Sequence, residues 1–393
     1  MFRSRLLAPG PVETAPEVGL ALAGPQLHHR SPEARAIVKR VRELLAAAYG
    51  LPPSAGWEVL VLTASGTGAM EAAIASLVPA GSEVVTLSGG KFGERWRDMA
   101  LALGLRVHHR GFGWGSAVPP EAVGELLRAH PEAQALVVTH SETSTGTLHD
   151  LESIAAEARA ANPEALLVVD AVTSLGVSEL RPLEWGLDAV VSGSQKGVGG
   201  PPGLGFVALS PRAVARLESR AVTGPYYLDL RRELKAQRGG ETAYTPAINL
   251  VASLLPGLEK LEAAGLEATW REKKALTEAV TAAGLALGCR AYSSRPSPAC
   301  ATLVPPAPAT GRDVVKALLN RGARAQDGQD AIKDTIVRLS FMGHFDRYDA
   351  LAVAGLLEEA LEDCGVRVER GAGVAAAWAV LGAARPQPVA ARR

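Results

Sequence analysis

Short apolar runs alternate with longer stretches whose apolar positions recur at helical spacing through most of the chain. Residues 58–63 (EVLVLT), 83–87, 106–109, 135–139 (ALVVT), 165–170 (ALLVVD), 187–192 and 204–209 read as strands. A short continuous apolar run bounded by turn residues suits a strand buried on both faces. Between these runs, residues 66–77, with Met70, Ile74 and Leu77 at helical spacing, and residues 92–103, 121–129 and 150–161 read as helices. The alternation predicts an α/β fold with a mostly parallel sheet covered on both faces.

The pattern changes near residue 245. Long helical stretches at 247–264 and 267–283 are followed by a strand at 301–304, a helix at 311–320, a strand at 335–341 and a helix at 348–364. That order is α+β. From Gly371 the Ala-, Gly-, Pro- and Arg-rich sequence GAGVAAAWAVLGAARPQPVAARR reads as a loosely ordered tail with one helical turn around Trp378. The expected organisation is an N-terminal arm (1–20), a large domain (21–264), a small C-terminal α+β domain (265–370) and the tail (371–393).

Composition narrows the function classes. The 393 residues carry 41 basic and 41 acidic side chains, a formal net charge of zero. Polyanion binders need a cationic surplus, so neither nucleic acid nor an anionic membrane is an expected partner. Three cysteines without a C-x-x-C pair argue against a disulfide scaffold and a structural zinc site. No apolar run approaches the roughly 18 residues of a membrane span, and no targeting signal stands out. A cytoplasmic protein is expected.

In open parallel sheets, ligands gather beyond the carboxyl ends of the strands. Four such turns are polar here: 63–66 (TASG), 139–143 (THSET), 170–174 (DAVTS) and 192–197 (SGSQKG). Of the nine lysines, Lys39, Lys260, Lys273, Lys274 and Lys316 lie in charged helical patterns and read as solvated. Lys235 ends a charged stretch, Lys333 sits in a polar loop, and Lys91 lies in an exposed-looking turn. Lys196 alone follows a buried strand, where desolvation would depress its pKa and make its amine a nucleophile.

Asp170 ends the most apolar strand, and a buried carboxylate there needs a cation. An arginine, a metal or a protonated heterocyclic nitrogen would serve, but no metal-ligand spacing lies nearby. At the 63–66 turn, Ser65, Gly66 and Thr67 open a helix whose first N–H groups would face an anion. The third glycine of a dinucleotide fingerprint is replaced by Glu71, and no Walker lysine closes the loop, so a small phosphate seat fits better. An amine, a buried carboxylate and a phosphate seat together suit pyridoxal 5′-phosphate.

At this point the chain resembles the class V, fold-type I pyridoxal-phosphate aminotransferases, in the alanine–glyoxylate/serine–pyruvate branch. The resemblance rests on residues 8–11 (APGP), 65–71 (SGTGAME), 90–95 (GKFGER), 140–146 (HSETSTG), 170–176 (DAVTSLG), 193–197 (GSQKG), 201–203 (PPG) and Arg338 within 337–340 (VRLS). It implies that Lys196 bonds the cofactor and shuttles the substrate proton, and that Asp170 pairs with the ring nitrogen. It further implies that Ser65, Gly66, Thr67 and Gln195 hold the phosphate, that Phe92 stacks on the ring, and that Thr143 and Ser174 lie at the cofactor. Arg338 would clamp the substrate carboxylate. Thr245, with Thr242 three residues before it, would reach the phosphate from a partner subunit, which implies a homodimer with a shared site.

The expected reaction moves an amino group between a small amino acid (alanine or serine) and a small 2-oxo acid (glyoxylate or pyruvate). The alternatives are a phosphoserine or aspartate aminotransferase, or a cysteine desulfurase using Cys300 in the loose stretch 294–301. Intact Lys196, Asp170 and Arg338 argue against a non-catalytic scaffold. The 326–334 loop is more polar than the Gly-rich version of the branch. His28 and His29 read as a structural turn, His108 and His109 as a strand end, His344 as lying on the small-domain side of the cleft, and Glu142 as a turn- or helix-stabilising carboxylate.

Overall fold

The computed structural model describes residues 3–219 and 225–384. A seven-stranded sheet forms its centre, in the spatial order Glu58–Leu62, Gly205–Leu209, Ala189–Gly193, Leu166–Asp170, Ala135–Thr139, Glu83–Ser88 and Arg106–Gly111. The last five of these run parallel to one another, and Gly205–Leu209 is antiparallel to both of its neighbours. The five-residue strands from 135, 166, 189 and 205 are buried throughout, which is why each reads as an unbroken apolar run.

Helices cover both faces. One face packs Val38, Val41 and Leu45 with Val123, Leu127 and Ile154, and the other packs Met70, Ile74 and Leu77 with Trp96, Val214 and Leu234. Four helices that the alternation of strands and helices leaves out take part here or at the rim: Pro16–Leu22, Pro32–Ala48, Pro211–Glu218 and Leu230–Arg238. The first three open on proline, which suits a helix start because its missing N–H has no intrahelical acceptor there.

The outer edge of Glu58–Leu62 is closed by side chains. The Gln237 amide donates to the Val61 carbonyl (2.7 Å) and accepts its N–H (3.0 Å), while Arg42 donates to the Val59 carbonyl (2.7 Å). At the opposite edge His108 and His109 lie within the strand rather than at its end. His108 pairs with Glu83 (3.1 Å) and His109 with Thr86 (2.9 Å).

A separate core joins Leu276, Val280, Leu303, Val337, Val353 and Leu357, and Leu7 reaches into it from the N-terminal segment. Its four-stranded antiparallel sheet places Val337–Leu339 between Ala301–Val304 and Gln326–Asp327.

Two expectations are corrected. The stretch 247–264 is two helices, Ile248–Ala252 and Leu255–Ala264, because Pro256 brings no N–H to continue the first. The chain after Gly371 is no loose tail as far as residue 384. Ala372–Ala383 is a helix with Ala377 and Leu381 in the second core, and the buried Glu358 carboxylate accepts the N–H groups of Gly371 (2.9 Å) and Val374 (3.0 Å) at its start. Residues 385–393 of that reading lie outside the described residues. Among the described residues no helix is long and apolar enough to cross a membrane.

Candidate active site

Register brings the chemistry together. Asp170 ends its strand with Thr139 on one side and Val191 on the other, and Lys196 follows the Ala189–Gly193 strand by three residues. The Asp170 carboxylate is buried and accepts the Val172 N–H at 2.8 Å. Burial lifts its pKa to about 6, against the pull of Arg95 and Lys196. Burial also lowers Lys196 to about 8; Asp170 opposes that shift and the Arg338 charge adds to it. The Lys196 Nζ donates to the Pro9 carbonyl. Gly10 lies at φ +111°, and a Cβ there would fall on the lysine's Nζ, Cε and Cδ atoms. Only glycine lets the arm run this close to the amine.

The helix Gly66–Leu77 begins beside these groups. Ser65 caps it, its Oγ accepting the Gly68 N–H at 3.1 Å, and a Cβ on Gly66 would press on Val172 Cγ2 at 3.1 Å. The Thr67 hydroxyl accepts from Arg95 (3.1 Å), whose guanidinium lies 4.8 Å from the Phe92 ring centre. A cavity of about 110 Å³ is lined by Ser65, Gly66, Thr67, Phe92, Asp170 and Lys196, with Arg95 and Gln195 also at its wall. The Gln195 Oε1 is buried without a hydrogen-bond partner.

Phe92 is aimed by a remote cap. The buried Glu142 carboxylate accepts the N–H groups of Phe92 and Gly93 (2.9 Å each), the Ser144 N–H (3.1 Å) and the Ser144 hydroxyl (2.5 Å). Ser144 Oγ in turn accepts the Lys91 N–H at 3.1 Å. Glu142 and Ser144 thus satisfy the first turn of the Lys91–Ala102 helix, where a negative charge also suits the helix dipole.

Residues 19–350 match the family model described as aminotransferase class-V. The chain belongs to the class V aminotransferases. It is 38% identical to the small subunit of a soluble hydrogenase from a Synechococcus strain, over 97% of this chain and 99% of that one. It is 30% identical to the serine–glyoxylate aminotransferase of Methylorubrum extorquens, over 99% and 98%. A solved structure of an aspartate aminotransferase of subgroup IV from Thermus thermophilus superposes with a TM-score of 0.86 at 43% identity, covering 92% of this chain and all of that one. The architecture is that of the fold-type I aminotransferases.

In this aminotransferase Arg338 is buried on the Val337–Leu339 strand. Its Nε (3.0 Å) and Nη2 (2.7 Å) donate to the Asp327 carbonyl and its Nη1 (2.9 Å) to the Thr143 carbonyl. Thr143 and the 326–334 loop therefore meet at the guanidinium. Neither Arg338 nor Thr143 is among the residues that line the cavity, and nor are three other sequence candidates. Ser174 is buried with an unpartnered hydroxyl, Thr242 donates to the Tyr244 carbonyl (2.5 Å), and Thr245 is exposed.

Arg95, Pro9 and Gly10 belong to the site and carry no role in the sequence reading. Their signal was present, because all three lie in stretches that carry the resemblance, residues 8–11 and 90–95. The solvated reading fails for Lys273, which is buried. The 294–301 stretch is also no loose loop: Ser297 donates its N–H to the Gly146 carbonyl (2.9 Å), and Cys300 is buried with its thiol pKa pushed up by desolvation. His140 and His149 are buried imidazoles held to about 3 and about 4 by desolvation, so both stay neutral.

Proposed function

We propose that this aminotransferase uses pyridoxal 5′-phosphate to pass an amino group from a small amino acid, alanine or serine, to a small 2-oxo acid such as glyoxylate or pyruvate. One observation carries the reading: the Lys196 amine and the buried Asp170 carboxylate share a single cavity with the opening turn of the Gly66–Leu77 helix. Lys196 is the amine that bonds the cofactor. Asp170 is a carboxylate whose burial demands a cation, and a protonated ring nitrogen supplies one. Ser65, Gly66, Thr67 and the side-chain NH2 of Gln195 at the cavity wall hold the phosphate, and the Phe92 ring covers the heterocycle. When bound, the cofactor provides a protonated ring that takes up the electron pair left at the substrate Cα.

The chain's own groups do the rest. Lys196, with a pKa near neutrality, takes the Cα proton and returns it on the other side of the exchange. Arg338 orients the substrate through its carboxylate, for which a planar guanidinium fork is suited. The family resemblance has Thr245, with Thr242 beside it, serve the site of a partner subunit in a homodimer; that Thr245 is exposed and neither lines the cavity of its own chain is compatible with this. The serine–glyoxylate relative supports the small-substrate reading.

Aspartate is the second reading. Arg95 is a guanidinium at the cavity wall with no carboxylate in ion-pair range among the described residues, and the Thermus thermophilus structure is named as an aspartate aminotransferase. A desulfurase lacks its mobile thiol here, since Cys300 is buried. A hydrogenase role finds no support either: none of the three cysteines joins a metal-type cluster among the described residues.

The test is a half-reaction screen. The yellow holoenzyme is mixed with alanine, serine or aspartate, and conversion to the pyridoxamine form is followed by absorbance. Conversion with alanine or serine supports the reading, and conversion with aspartate alone replaces it with the second. Lys196→Ala is expected to abolish turnover together with the borohydride-reducible link to the cofactor. Wild-type transamination by that variant overturns the assignment.

A further inference from the structure

Lys273 lies in the middle of the Leu266–Ala286 helix and is 9% exposed. Its Nζ donates to the Gly343 carbonyl at 2.7 Å. The charges it feels are Glu272, which supports the ammonium, and Lys260, which opposes it. A buried ammonium held by one carbonyl is costly, and a methionine of similar length would fill the same space without that cost. The useful question is therefore what the bond to Gly343 holds in place.

Gly343 abuts the N-terminal arm. A Cβ there would overlap the Glu13 carbonyl oxygen and lie 2.9 Å from Glu13 N and Val12 Cβ. The next residue, His344, donates its N–H to the Glu13 carbonyl at 2.8 Å. Val12 is buried against Val177, Ala299 and Met342, and its N–H donates to the Gln195 carbonyl at 3.2 Å. Two residues back, Gly10 lies along Lys196, and the Pro9 carbonyl accepts its amine. A cavity of about 140 Å³ borders Lys273 and Gly343 on one side and Gly197–Gly199 on the other, so the turn has room to shift once released.

We propose that Lys273 is a positioning residue: through Gly343 it fixes the depth of the arm, and through the arm the setting of the Lys196 amine. The proposal rests on the reading of Lys196 as the reacting amine. Lys273 does not line the cavity that holds Lys196 and Asp170. Without its bond the turn relaxes toward the cavity, and Gly10 and the Pro9 carbonyl retreat from the Lys196 side chain, which gains solvent.

The experiment uses holoenzyme carrying Lys273→Met. The variant is expected to fold. The pH midpoint of its visible absorption, which reports the setting of Lys196, is expected to move by about half a unit or more. Its kcat/KM for the amino acid should fall by about tenfold. Gly343→Ala, which pushes the arm from the other side and leaves every charge in place, is expected to move the same midpoint. A folded Lys273→Met enzyme with wild-type midpoint and kcat/KM overturns the proposal. If Lys273→Met does not fold, Gly343→Ala decides, and an unmoved midpoint there overturns it. Lys196→Ala separates the two levels, because turnover retained in that variant brings down the site assignment itself.

Discussion

At the scale of single residues, the site is built from groups that the fold holds at an energetic disadvantage. Asp170 has its folded-state pKa raised from 3.8 to about 6. The native chain therefore binds that proton more tightly than the unfolded chain does. Its stabilising contribution is complete below the unfolded value and is lost as pH rises through 6. At neutral pH the ionised, buried carboxylate costs about 3 kcal/mol in the cofactor-free protein. Asp170→Asn apoenzyme is accordingly expected to be more stable than wild type by up to about 3 kcal/mol at pH 7, with the gap closing toward pH 4, while its transamination is lost. Denaturant titrations at the two pH values check this, and an Asn variant less stable at pH 7 refutes the burial argument. Asp170 and Lys196 were legible in the sequence because each ends or follows a buried strand. Lys273 was not, because a charged helical pattern shows which residues could face water and not which face the fold covers.

At the scale of elements, the Lys91–Ala102 helix depends on a carboxylate from a distant turn. Removing Glu142 leaves the N–H groups of Phe92, Gly93 and Ser144 without their acceptor. Glu142→Ala is expected to cost about 3 kcal/mol or more and to weaken cofactor binding through Phe92, with Glu142→Gln milder because it keeps one acceptor oxygen. Thermal melts and a cofactor titration check both halves, and an Ala variant of wild-type stability refutes the capping role. The strands and the helix at 66–77 could be read directly, since a run buried on both faces and a glycine-rich strand-to-helix turn have local signatures. The break near Ser253 and the helix Ala372–Ala383 could not. Pro256 ends one helix and opens another with equal ease, and an alanine-rich segment shows no polar face until its neighbours are known.

At the scale of the whole molecule, Leu7 of the arm and the Ala372–Ala383 helix close the second core from opposite parts of the sequence. Ending the chain at Arg370 removes Ala377 and Leu381 from that core and strips the buried Glu358 of two donors. That truncation is expected to lower the melting temperature by several degrees; an unchanged melt shows that the last helix carries no stability. The arm does more, since it is anchored at both its start and its end by residues late in the sequence. Arg5 bonds to the backbone of Gly322 and Arg324, Leu7 to Ser340, and Glu13 to His344, and only between these anchors does Gly10 come to rest on Lys196. The arm is thus made before, and seated only after, the residues between 322 and 344 that anchor it. A chain cut short before residue 320 carries Asp170, Lys196 and the Gln195 carbonyl that receives Val12, yet lacks Gly322, Arg324, Ser340 and His344, so the arm that rests on the reactive lysine is left without the anchors at both of its ends.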